Sequence, residues 1–170
     1  MRSVVKAVSI ILIFMLIGSL HTSAQVSATA NASVTLITPI AITKTVDMNF
    51  GNVAVGASPG TVVLAPAGTR TATGGVTLPV TTGTVTAASF TVTGAANYTF
   101  SISLPSSSIT LKSGANSLTV STFLSTPTPT GTLTGGTATL NVGATLNVPA
   151  NQAAGVYTTD TPFTVTVNYN

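Results

Sequence analysis

Beyond residue 24, apolar residues recur at alternate positions along much of the chain and never settle into helical spacing. A period of two sends one set of side chains to one face of a pleated strand and the other set to the opposite face. The clearest instance closes the chain, where Phe163, Val165, Val167 and Tyr169 alternate with Thr164, Thr166 and Asn168. Aromatic and β-branched residues suit such a half-buried surface. Pro162 lacks an N–H, so it belongs at the strand's start or where that position faces solvent. Two roles stand open for this strand: it closes the domain's own sheet, or it is recognised by another subunit or a chaperone.

Other runs repeat the pattern. Val26, Ala28, Ala30, Ala32, Val34 and Leu36 alternate with Ser, Thr and Asn, which predicts a long strand or a flexible leader. Shorter runs follow at Ile40-Ala41-Ile42-Thr43, Thr61-Val62-Val63-Leu64 and Val76-Thr77-Leu78, then at Ile109-Thr110-Leu111 and around Leu118 to Phe123. Ala138 to Gly143 and Thr145 to Val148 read as two more. The runs at 89–94 and 98–104 read as a hairpin joined at 95–97, with Tyr98 in phase with core positions Phe100, Ile102 and Leu104. Lys112-Ser113-Gly114-Ala115-Asn116 carries turn chemistry, and the Pro-Thr repeat at 125–131 predicts a semi-extended surface loop. The expectation is one all-β domain over residues 25–170, a sandwich or barrel.

Residues 1–24 read as a signal peptide. Arg2 and Lys6 form a positive start, residues 7–20 are apolar, and Thr22-Ser23-Ala24 offers small residues for cleavage. The apolar run is short for a membrane span, so a cleaved helix is expected, leaving Gln25 first. The formal charge of +3 then falls to +1, with Lys44, Arg70 and Lys112 against Asp47 and Asp160. That leaves no basic patch for nucleic acid. The chain has no cysteine, so its fold relies on packing and sheet hydrogen bonds. With so few charges, the usual guards of exposed strand edges are scarce.

The same poverty argues against catalysis. Residues 25–170 contain no His, Cys, Glu or Trp, which removes the common general bases, thiol nucleophiles and soft metal ligands. Asp47 and Asp160 are the only side-chain carboxylates there, and each reads as a turn or edge residue. No enzyme activity, metal site or cofactor is expected. Tyr98, Tyr157 and Tyr169 are the tyrosines available for a sugar platform, and their phase places them with the apolar faces.

Three landmarks carry a resemblance: Asp47-Met48-Asn49-Phe50-Gly51, the stretch Leu140-Asn141-Val142-Gly143-Ala144-Thr145-Leu146, and Gly155-Val156-Tyr157-Thr158 leading to Val165-Thr166-Val167-Asn168-Tyr169. In this order they resemble the bacterial family labelled "domain of unknown function 4402". More distantly they resemble spore coat U-type and chaperone–usher fimbrial subunits, which share the Gly before the last strand and the penultimate Tyr. The cysteine pair that many such subunits carry is missing here. That likeness implies an immunoglobulin-like or fimbrial-like sandwich lacking one strand, filled by a neighbour's N-terminal segment. The candidate donor is residues 25–33, through Val26, Ala28, Ala30 and Ala32; the candidate assembly strand runs through Gly155, Phe163, Val165, Val167 and Tyr169. The implied role is a secreted structural or adhesive surface protein, in the periplasm, at the outer cell surface or outside the cell. Its partners would be copies of itself or related subunits and a periplasmic chaperone, with no membrane span in the mature form. The alternative is a stand-alone extracellular domain that binds a ligand such as a carbohydrate.

Overall fold

The computed structural model describes residues 25–170; the predicted signal peptide lies outside the described residues. Leu36–Asn170 forms one compact unit. Its strands come in chain order as β1 (Ala41–Val46), β2 (Asn49–Phe50), β3 (Ala54–Leu64), β4 (Arg70–Thr77) and β5 (Val85–Thr86). Next are β6 (Ala88–Thr93), β7 (Thr99–Ser103), β8 (Ile109–Ser113) and β9 (Asn116–Thr126). The last four are β10 (Thr130–Thr132), β11 (Thr137–Val148), β12 (Thr158–Thr159) and β13 (Thr166–Tyr169). There is no helix among the described residues, so none is present there to cross a membrane.

The large sheet is built around β11. Its one edge pairs with β9; its other edge pairs with β6 over its first half and with β3 over its second. From there the sheet runs outward through β6 to β1, through β3 to β4, and through β9 and β8 to β12. The handover from β6 to β3 falls at Gly143, between Val142 opposite Ala88 and Ala144 opposite Leu64. A Cβ at Gly143 would come within 2.1 Å of the Leu64 carbonyl oxygen, so only glycine lets the second strand begin where the first ends. The two runs predicted on either side of Gly143 are therefore one twelve-residue strand.

A second sheet, β10-β7-β13, supplies the other layer, and β2 and β5 form a small separate pair. The two layers make an all-β sandwich around one apolar cluster. Val92, Leu140, Val142 and Leu64 come from the large sheet, Phe100 and Val167 from the small one, and Leu133 from the segment after β10. The final-strand alternation holds: Val165 and Val167 are buried, Phe163 and Tyr169 half-buried, and Thr164, Thr166 and Asn168 exposed. The ladder itself is shorter than the alternation. Thr166 faces Ser103; one pair further, Thr164 would face Pro105, which has no N–H to give.

Two expectations need correction. The segments at 89–94 and 98–104 are not a hairpin: β6 lies in the large sheet and β7 in the small one. Their connection is instead tied down by Leu133, whose N–H donates to the Tyr98 carbonyl and whose own carbonyl accepts from Asn97 N–H. That anchoring leaves Tyr98 exposed at 45%, not in the core. Of the two alternatives for the alternating run from Val26, the strand is not formed: residues 25–35 and the following Leu36 carry no strand, and all are exposed. An alternating segment becomes a strand only where another backbone offers it a ladder.

Candidate functional site

Among the described residues, two strand edges at one seam of the sandwich lack partners. β13 ends the small sheet and pairs only with β7, while β1 ends the large sheet and pairs only with β6. The two strands come into contact with each other. Around that seam the core is incompletely covered: Ile40, Ile42, Phe90, Phe163 and Tyr169 are all half-buried. Phe163 packs edge-on to Phe90, centroids 6.4 Å apart, and lies 5.0 Å from Phe123. Lys44 stands directly opposite Phe90 in the β1–β6 ladder, so its register places it on the inward face. It nonetheless remains exposed, its ammonium 2.5 Å from Asp47. A charge in that register on an edge strand is a guard against indiscriminate pairing.

The penultimate tyrosine closes the seam at one end. Ala95 N–H donates to the Tyr169 hydroxyl at 2.6 Å, and that hydroxyl donates to the Thr38 carbonyl at 2.7 Å. Gly94 makes room for it, since a Cβ there would sit 2.3 Å from the same oxygen. Of the sequence-derived strand residues, Phe163, Val165, Val167 and Tyr169 are thus brought together on one inward face. Gly155 is not among them: it occupies an exposed bend ahead of β12, near Ser113. The donor candidates Val26, Ala28, Ala30 and Ala32 are exposed.

Chemistry-bearing groups are sparse elsewhere. Asp160 lies 2.6 Å from Lys112, and that hydrogen bond, reinforced by the opposite charge, raises the lysine above its ordinary 10.5. Among the described residues no three His, Cys, Asp or Glu side chains gather as a metal site would require. One residue that sequence reasoning passed over is Arg70. Its guanidinium donates to the carbonyls of Phe50, Asn52 (2.7 Å) and Thr82 (3.3 Å), stapling the Asn49-Phe50-Gly51 turn to the 81–83 loop. The only signal was that it is the sole arginine of residues 25–170.

The family described as Domain of unknown function (DUF4402) matches residues 40–169. The chain belongs to that family. The match takes in all thirteen strands of the DUF4402 domain and starts after the exposed leader. The turn stapled by Arg70, the Gly143 handover and the Tyr169 clasp are where the three landmarks of the resemblance lie in the fold. Comparison with curated proteins and with solved structures gives no match.

Proposed function

We propose that this DUF4402 protein is a secreted structural or adhesive subunit of a bacterial surface assembly, joined to its neighbours by strand addition. The observation that carries the reading is the pair of unpartnered edges, β13 and β1, flanking half-buried Phe163, Phe90 and Ile42. A strand laid along β13 would find free backbone groups and cover that apolar surface at once. The occupant is the leader of another copy. Residues 25–33 carry no charge and alternate in the required period, and nine extended residues reach about 30 Å, against roughly 23 Å for seven such as 163–169. Alanines at three of the four facing positions bury little area each, at ~25 cal/mol per Å², so most of the attraction comes from the backbone ladder. A subunit with such an edge exposed before assembly would need a periplasmic chaperone to cover it.

Removing residues 25–33 from the exported protein tests this. Full-length protein should form filaments or higher oligomers by electron microscopy and size-exclusion chromatography, whereas the shortened form should be a folded monomer. A full-length protein that stays monomeric, with the deletion only lowering the melting temperature, would assign the leader to its own domain. It would then favour the stand-alone ligand-binding reading.

A further inference from the structure

Five strands of the large sheet align uncharged hydrogen-bonding side chains in one row. Thr73 of β4 faces Thr61 of β3, Thr61 faces Asn147 of β11, Asn147 faces Thr119 of β9, and Thr119 faces Thr110 of β8. Directly opposed residues share a sheet face. This is the outward one, because the intervening Val62, Leu146 and Val120 are buried. Two contacts hold the row in place. The Thr61 and Thr73 hydroxyls share a hydrogen bond of 2.8 Å. The Asn147 side-chain amide donates to the Thr119 carbonyl at 3.3 Å and to the Ser121 hydroxyl at 2.9 Å. With its NH₂ committed, that amide presents its Oδ1 as a fixed acceptor.

The middle of the row opens into a trough of about 520 Å³, to which Ser117, Pro59 and Pro149 also contribute. That is the size range of small-molecule sites. Among the described residues, no charged side chain lines it. Lys112, opposite Ser117 and on the same face, is already paired with Asp160.

We propose that this row and trough bind an extended neutral polysaccharide chain lying across the strands. Neighbouring strands stand about 4.8 Å apart, close to the rise of one sugar unit in an extended β-linked glycan, so successive sugars meet successive strands. Each then finds a hydroxyl or amide, and the proline rings offer an apolar surface to the C–H faces of the sugars. The lack of charge selects a neutral polymer, since an anionic one would meet no unpaired cation. This site lies on the outward face of the large sheet and does not depend on strand addition at the β13 seam.

Calorimetric titration of the exported protein with cellohexaose and chitohexaose tests it, with glucose, maltohexaose and a hyaluronan hexasaccharide alongside. At least one of the two extended neutral oligomers should bind, with glucose undetectable and both curved maltohexaose and anionic hyaluronan weaker by about tenfold or more. Thr61→Val and Thr119→Val should each weaken binding by about tenfold or more, with circular dichroism and melting temperature held. Thr43→Val, outward on β1, should leave it unchanged. Failure of both extended oligomers to bind, equal binding of the hyaluronan fragment, or binding indifferent to both row variants in folded protein would overturn the proposal.

Discussion

The Tyr169 hydroxyl joins three parts of the chain that sequence keeps far apart: the approach to β1 at Thr38, the crossover at Ala95 and the last strand. Tyr169→Phe keeps the ring and removes both bonds, leaving a half-buried N–H without its acceptor. Thermal and urea unfolding should show a loss of about 1–2 kcal/mol. Tyr98→Phe is the control: its ring lies edge-on to Tyr169 with centroids 5.6 Å apart, and the shift should be below about 0.5 kcal/mol. One residue pair tests the alternation itself. Val167→Asp places a carboxylate in the sandwich interior and should cost several kcal/mol, enough to unfold a marginal domain. Thr166→Asp, on the exposed side, should stay within about 0.5 kcal/mol. The inward phase of Val167 was legible because a period of two is a local property. The clasp made by Tyr169 and the grip of Arg70 were not, because their partners are backbone atoms that only the folded topology brings near.

Among the strands, β9 shows how a regular pattern can mislead. Leu118 and Val120 point inward, but so do Phe123 and Ser125, which lie out of phase with them. The phase changes at a bulge, where Thr122 and Phe123 together stand against Ala144, and Thr122 adopts a φ of 52°. A β-branched residue in that left-handed region is strained. Thr122→Gly relieves the strain at some cost in unfolded-chain entropy, so unfolding measurements should show a net gain of about 1 kcal/mol. A loss of stability would mean that the Thr122 side chain does something in the fold beyond filling the bulge. Individual strands were readable from alternation, including the β8–β9 turn at Gly114 and Ala115. Which sheet each strand joined was not: β6 and β7 are close in sequence, and nothing in their residue types announces that the chain changes layers between them.

For the molecule as a whole, the scarcity of charge fixes the response to pH. Residues 25–170 carry no histidine or cysteine side chain to titrate near neutrality. Lys112 is held above its ordinary 10.5 by Asp160. A raised lysine contributes stability that is fully present below 10.5 and is lost as pH rises through the higher folded value. The melting temperature should therefore be nearly flat from about pH 6 to pH 9, and only more alkaline solution should begin to remove this contribution. A transition near pH 6.5 in calorimetric scans would contradict this and require another group to titrate there.

The place of β11 in the chain has a kinetic consequence. Every partner it pairs with, from Gly60 in β3 to Thr126 in β9, is synthesised before it. Until β11 arrives, the β6, β3 and β9 branches have no common strand to hold them in one sheet. Ordering a chain through contacts so distant in sequence is slow, on the scale of milliseconds to seconds for comparable β topologies. An N-terminal fragment ending at residue 136 should accordingly remain unfolded by circular dichroism, however long it is incubated. While the chain waits for that strand, unpaired edges are exposed and off-pathway association competes with folding, so the completion of one late strand sets the period of greatest vulnerability.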